Sequence, residues 1–542
     1  MKGFLTKSLF VIFAALAGYT VITGGFFSNH NEPFLGFNPN VHLQGTESLN
    51  AQLDELDEMG VKLIKVNIPW NKVELSPGIF SWSYTTNGVH HDLNYLLLEA
   101  DKRNMKVVAI LSGGPFYLDN QIPDQPVNPE SLLESWRRYV QATVDAFGKQ
   151  IQYWQIGEKI NTPKGWGKVL FPADQDAFAQ PDAVLYAQML KSAYTIIKAK
   201  QAGDMIILGG LVSDTDSCIT QPTAFLQHIY NTGEWDSFDL IGLDIKTQAF
   251  PPETLLHYQI FDPLTEMCLY SAEGGFNLMD QVRLVEMTSA QYGEKPIWIT
   301  ELGWAESNLV ELTDEHGAIP DVIHADYLSR ATIMFLAEPE VQKVFWNLCI
   351  DNFNTDSYKI KLFTKNAFNN LNHILNVTGS ISDYSDKALN QYEYRFRSNG
   401  KLGIVLWRSI GADALEATTI SDLHGYDLKA YSVDAESISW KSGITLPVDA
   451  QGQTTLLLSE RPVFIQGKPE DLKSAVLGAI KDIGSSIGKF AKAKLNEWIH
   501  VQKIKAAQGI SDWVGEQQQS LLEMIKESFK EWLLESLKIA KN

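Results

Sequence analysis

Two short runs in this chain carry carboxylates where a strand would end. "KPIWITELGW" (295–304) delivers Glu301 at the close of an apolar stretch, between Trp298 and Trp304. "YWQIGEKIN" (153–161) delivers Glu158, followed at once by Lys159. Two carboxyl groups at opposed strand ends can flank one bond, which is what glycoside hydrolysis needs. A retaining mechanism places nucleophile and proton donor about 5 to 5.5 Å apart, and the donor needs a raised pKa to keep its proton near neutrality. Lys159 works against that, because an adjacent ammonium lowers a carboxyl pKa. His42, in "NPNVHL" (38–43), ends another run and is a further candidate to line the site. His90-His91-Asp92 has metal-ligating residue types, but neighbouring histidines at a helix start diverge and no third ligand is evident. No metal and no cofactor is expected.

Positioning two such carboxylates requires a scaffold, and eight apolar runs can supply one: 34–38, 61–68, 105–111, 151–157, 205–211, 238–245, 295–302 and 343–350. Helical patterns separate them, so residues 31–355 read as repeated strand–helix units and predict a TIM (β/α)8 barrel. Reactive groups in that fold sit at the C-terminal strand ends, and strands 4 and 7 face each other across it. A doubly wound open sheet fits less well, because no glycine-rich phosphate turn follows the first strand. Beyond residue 355 the pattern becomes β, and residues 356–467 predict a small β-sandwich. "YEYRFRSNGKLGIVLWRS" (392–409) reads as two strands around Ser398-Asn399-Gly400. "TTLLLSERPVFIQG" (454–467) reads as a closing strand pair. Residues 468–542 predict an amphipathic helical tail, with Val476, Ile480, Ile483 and Ile487 at helical spacing and Trp498, Trp513 and Trp532 on the apolar stripe.

The chain has 542 residues and a formal charge of -20, which leaves no basic stripe for phosphates and excludes nucleic acid as a partner. Lys2 and Lys7 flank the uncharged run 8–27, so residues 1–30 are expected to be an export signal or an uncleaved membrane anchor. Either places the body of the chain outside the cytoplasm, secreted or membrane-anchored. Of the three cysteines, Cys218 and Cys268 follow strands 5 and 6 on one barrel face and are expected to pair, with Cys349 a buried thiol.

Further motifs fall in order along the chain. Residues 61–82 carry Trp70, Glu74, Pro77-Gly78 and Trp82 in the pattern W-x3-E-x2-PG-x-F-x-W. "AQMLKSAYTIIKAK" (187–200) precedes "IILGGL" (206–211), and "WITELGW" and "VFWNL" (344–348) follow. Over residues 31–467 the chain resembles the clan A retaining glycoside hydrolases, in particular xylosidase-like and endoglucanase-like members with a C-terminal β-sandwich. The resemblance implies that Glu301 is the nucleophile and that Trp346 floors a sugar subsite also lined by His42, Asn67 and Trp304. Strand 4 of that group ends in N-E-P-N, with Asn gripping the sugar 2-hydroxyl and Glu as acid/base. Aligned without gaps through Gly157 and Asn161, this chain places Glu158 at the asparagine position and Lys159 at the acid/base position. A one-residue slip makes Glu158 the acid/base instead. Lys65 stands where an Arg is usual, and Asp244 and Lys246 where His and Tyr are common. Lysine cannot reproduce a bidentate fork. Two functions follow as expectations: an exported hydrolase of β-linked glycans, with catalysis impaired on the ungapped alignment, or a non-catalytic glycan-binding or envelope scaffolding protein on the same barrel.

Overall fold

The computed structural model describes residues 33–469 apart from 40–44, 87, 114–128, 163–181, 214–220, 247–248, 257–258, 263–266, 271–275, 305–308, 310–319, 348–361, 376–380, 399–400, 410–414, 433–434 and 437–440. The expected signal or anchor, the helical tail, His42, Cys218 and Cys349 lie outside the described residues, as does the side chain of Cys268.

Eight parallel strands close into a barrel: β1 Leu35–Asn38, β2 Leu63–Pro69, β3 Lys106–Ser112, β4 Tyr153–Ile156, β5 Met205–Ser213, β6 Leu240–Lys246, β7 Ile297–Gly303 and β8 Val341–Asn347. Each falls within or against one of the eight apolar runs. Each is followed by a helix: α1 Thr46–Glu58, α2 Leu93–Lys102, α3 Pro129–Phe147, α4 Ala183–Lys200, α5 Pro222–Asn231, α6 Leu278–Tyr292, α7 Pro320–Leu336 and α8 Leu362–Leu375. Apolar residues at helical spacing bury one stripe of these helices, as Leu49, Leu53 and Leu56 do on α1. Side-chain caps satisfy first-turn N–H groups: Asp92 accepts from Tyr95, Asp182 from Val184 and Leu185, and Asn277 forms a capping box with Asp280. His90 and His91 therefore sit on the hairpin strand Val89–Asp92 before the helix, not on its first turn, and His91 stacks on Tyr84.

Alternation along the strands separates two cores. Outward residues such as Val66, Leu111, Ile156 and Leu243 join the helices in one large cluster. Inward residues Leu63, Val108, Ile207, Leu240, Trp298 and Phe345 fill the N-terminal half of the lumen. Gly36 makes that filling possible, since a Cβ there would lie 2.5 Å from the Phe345 ring. The motif at residues 70–78 proves to be a buried clamp. Trp70 Nε1 donates to Glu74 Oε2 at 2.5 Å, and Gly78 N and Arg138 Nε donate to Glu74 Oε1 at 2.8 and 2.7 Å.

Helix α8 falls after residue 355, in the stretch expected to be β, and packs Phe368 against Phe37 and Trp346. A six-stranded antiparallel sheet follows, in the order β9 Ile381–Asp383, β10 Gln391–Ser398, β11 Lys401–Arg408, β16 Val463–Pro469, β13 Tyr426–Ser432 and β14 Ile444–Leu446. A second sheet pairs β12 Glu416–Ile420 with β15 Thr454–Leu458. The two strands expected to close on each other thus lie in different sheets, β15 against β12 and β16 between β11 and β13. Ile404 and Leu406 face the small sheet's Ile420 and Leu458, whereas Tyr392, Val405, Trp407 and Phe464 join the barrel's outer core.

Candidate active site

Irregularity in two strands builds the mouth of the barrel. Along β7, Ile299 lies opposite Leu243 and Val344, but Glu301 lies opposite Asp244 and Leu302 opposite Trp346. One extra residue in β7 relative to both neighbours is a β-bulge, and it reverses the alternation. Trp298 points into the lumen and Ile299 outward, and in a regular strand Glu301 would follow Ile299 outward. The bulge turns Glu301 inward and sends Leu302 and Trp304 into the outer core instead. Strand β5 has an equivalent shift at Gly209–Gly210. A Cβ on Gly210 would lie 2.2 Å from Asp244 Oδ2, so only glycine leaves room for that carboxylate.

Between the two bulges sits a buried polar cluster. Glu301, 8 % exposed, accepts a hydrogen bond at 2.9 Å from Asn347 Nδ2. Asp244 is fully buried, and its Oδ1 accepts from the Thr300 hydroxyl at 2.6 Å. Its Oδ2 has no hydrogen-bond partner among the described residues. Lys65, also fully buried, donates through Nζ to the Thr300 carbonyl at 2.7 Å. Burial pushes the Asp244 carboxyl up to about 6, the Lys65 ammonium opposes that rise, and Glu301 and, more weakly, Glu158 add to it. Lys65, Asp244, Glu301 and Glu158 therefore share one electrostatic site.

The end of β4 turns sharply. Gly157 and Lys159 both have positive φ, 83° and 52°. Glu158 and Lys159 are half-buried at the mouth. Asn161 is fully buried, donating to Val212 O at 2.8 Å and accepting from Val212 N at 2.7 Å, which ties the turn to β5. Asn67 is half-buried and accepts from Ser112 Oγ at 2.6 Å, leaving its amide nitrogen for other contacts. Lys246 closes β6.

Two tryptophans expected at the subsite are elsewhere. Trp346 is fully buried, donates from Nε1 to Thr332 Oγ1 at 2.8 Å and meets Phe368 edge-on, so it belongs to the layer between β8 and the helices. Trp304 is 1 % exposed, donates to Phe250 O at 2.8 Å and packs on Tyr327. Strand parity explains both, because the bulge puts Trp304 outward and β8 alternates regularly through Phe345, Trp346 and Asn347. Sequence reasoning missed Thr300, which hydrogen-bonds Asp244, and Asn347, which hydrogen-bonds Glu301. The available signal was position, with Thr300 directly before Glu301 and Asn347 the polar residue that closes the β8 run. Among the described residues no group of three or more His, Cys, Asp or Glu side chains is placed to hold a metal ion.

No protein-family model matches the chain, and no curated protein sequence matches it. Solved structures do. A family 39 glycoside hydrolase from the gut symbiont Bacteroides cellulosilyticus WH2 is similar at a TM-score of 0.55 and 17% identity, covering 81% of this chain and 82% of that one. A family 30 subfamily 8 xylanase from Clostridium acetobutylicum follows at 0.49 and 10%, covering 80% and 95%. A glucosidase from Croceicoccus marinus gives 0.47 and 12%, covering 81% and 98%. The first likeness gives this chain the fold expected from its motifs, a TIM barrel followed by a β-sandwich.

Proposed function

We propose that this protein acts on β-linked glycans, with Glu301 as the nucleophile of a retaining mechanism at the barrel mouth. The observation that carries the reading is the bulge that turns Glu301 inward beside Asn347, at the strand end where this fold places reactive groups. Likeness to a family 39 glycoside hydrolase, an analogy of fold alone, is in keeping with glycoside chemistry at this site. Glu158, half-buried in the turn after β4 and near enough to Asp244 for its charge to act there, is the candidate proton donor. The uncharged run 8–27 supports export and action outside the cytoplasm, in secreted or membrane-anchored form.

A second reading has its own observation. Lys159 is half-buried at the mouth beside Glu158, where the ungapped reading puts an ammonium in the proton donor's place, which suits a barrel that binds glycan without turning it over. A panel of nitrophenyl β-glycosides separates the two. Turnover with covalent trapping of Glu301 by a 2-fluoro-glycoside supports the enzyme. Saturable glycan binding with neither turnover nor trapping supports the binding protein, and trapping at another residue ends the assignment of Glu301.

A further inference from the structure

We propose that Lys65 and Asp244 are positioning residues that clamp Thr300 and thereby hold the bulge that aims Glu301, rather than ligands of the substrate. The inference rests on the reading of Glu301 as the working carboxylate. Thr300 is the residue before Glu301 within the shifted segment, and its carbonyl and its hydroxyl are both held. Its carbonyl accepts from Lys65 across the lumen on β2, and its hydroxyl donates to Asp244 on β6. A bulge interrupts the ladder locally and leaves a residue short of its regular partners, so side chains that take over those hydrogen bonds fix its geometry. Lys65 and Asp244 are both fully buried, and Asp244 is further lodged against the Gly210 backbone. Both are 0 % exposed, whereas Glu301 retains 8 % exposure. The charges compensate each other within the lumen: the groups acting on Asp244 are Lys65, Glu301 and Glu158, and Lys65 is the cation among them. A buried carboxylate and ammonium left alone would each be costly, so the two positions form one unit with Thr300 between them.

Three variants of the full chain test this: Thr300→Val, which removes only the hydroxyl; Lys65→Met with Asp244→Asn, which removes both charges but keeps an acceptor for Thr300; and Lys65→Met with Asp244→Leu, which removes the acceptor too. Glu301 is read directly, without substrate, by water-soluble carbodiimide labelling and mass spectrometry of its peptide, with Glu301→Gln as the blank. Where turnover is present, kcat and KM are read separately. Loosening the bulge raises labelling of Glu301 about tenfold and lowers kcat about tenfold, with KM within about threefold, for Thr300→Val and the Leu variant. The Asn variant falls between these and the wild type, because the Thr300 hydroxyl keeps its acceptor while the Thr300 carbonyl loses Lys65. A folded Thr300→Val protein with unchanged labelling overturns the proposal. So does a rise in KM with kcat unchanged in the charge-removing pairs, which would make Lys65 and Asp244 substrate ligands. Labelling that shifts as stated in a protein with no glycosidase activity keeps the clamp and rejects the proposed function. If the Leu variant fails to fold, Thr300→Val alone decides.

Discussion

Glu301 and Asp244 lie opposite each other on adjacent strands, and Asp244 is tied to the Lys65 ammonium through Thr300. Asp244 has a folded-state pKa of about 6 against an ordinary value near 3.9. The sign follows: the folded state holds the extra proton between those values, so the contribution of Asp244 to stability is complete below about pH 4 and is lost as pH rises through 6. Asp244→Asn should flatten the dependence of Tm on pH in that window. An unchanged slope would show that the carboxyl titrates elsewhere. The same logic acts outside the site at Glu286, which burial and then Glu338 and Glu340 push up to about 8, against Arg283. Glu286→Gln should therefore stabilise the protein at pH 8.5 by of order 1–3 kcal/mol and have little effect at pH 4.5, measured by chemical denaturation. For Trp346, loss of its hydrogen bond to Thr332 in Trp346→Phe should cost about 1–3 kcal/mol of stability while KM for any glycoside stays put. A large change in KM with normal stability would return Trp346 to the subsite.

Strands, not single residues, decided which expectations survived. All eight barrel runs were legible because buried parallel strands are continuous apolar stretches, a signal that needs no knowledge of facing. Glu301 and Glu158 were legible for a related reason: each is a charge closing an apolar run. Which way a side chain points was not legible where a bulge intervenes, since one extra residue reverses every later position. That is why Trp304 was placed with the substrate and why Thr300 was overlooked. The pairing of β15 and β16 failed differently, because both runs alternate normally and nothing local says which sheet each joins. At this scale Gly210→Ala is the informative change. Its Cβ would lie 2.2 Å from Asp244 Oδ2, so the β5 bulge must shift or Asp244 must leave. The variant should lose about 1–3 kcal/mol of stability or more, as overpacked buried sites do, and the same change should cost much less when added to Lys65→Met with Asp244→Ala, where the carboxylate is gone and no ammonium is stranded. An equal cost in that background would mean that the glycine serves the strand and not the carboxylate.

Across the whole molecule, the barrel and the six-stranded sheet share a buried ionic junction. Arg330 of α7 is fully buried, pairs with Glu253 through both oxygens, and lies over the rings of Tyr327 and Trp407. Trp407 of β11 donates to the same Glu253 at 2.6 Å, and Arg330 also reaches the Glu460 carbonyl at 3.3 Å. Removing one partner of such a pair strands the other and costs about 3–5 kcal/mol. Glu253→Gln should thus lower Tm far more than a surface change. The wild type should unfold in one calorimetric transition, because opening the junction takes the Trp407 hydrogen bond from Glu253 and uncovers the apolar faces of Tyr392, Val405, Trp407 and Phe464; two separated transitions would contradict that coupling. The clamp within the barrel has a different, historical consequence. Replacing Lys65 alone leaves a buried carboxylate, and replacing Asp244 alone leaves a buried ammonium, each a loss comparable with much of a domain's net stability of about 5–15 kcal/mol. Mutational paths that pass through either single change descend into a valley, so the two positions are inherited together, and a lineage that acquired the pair would have few one-step routes back to a barrel without it.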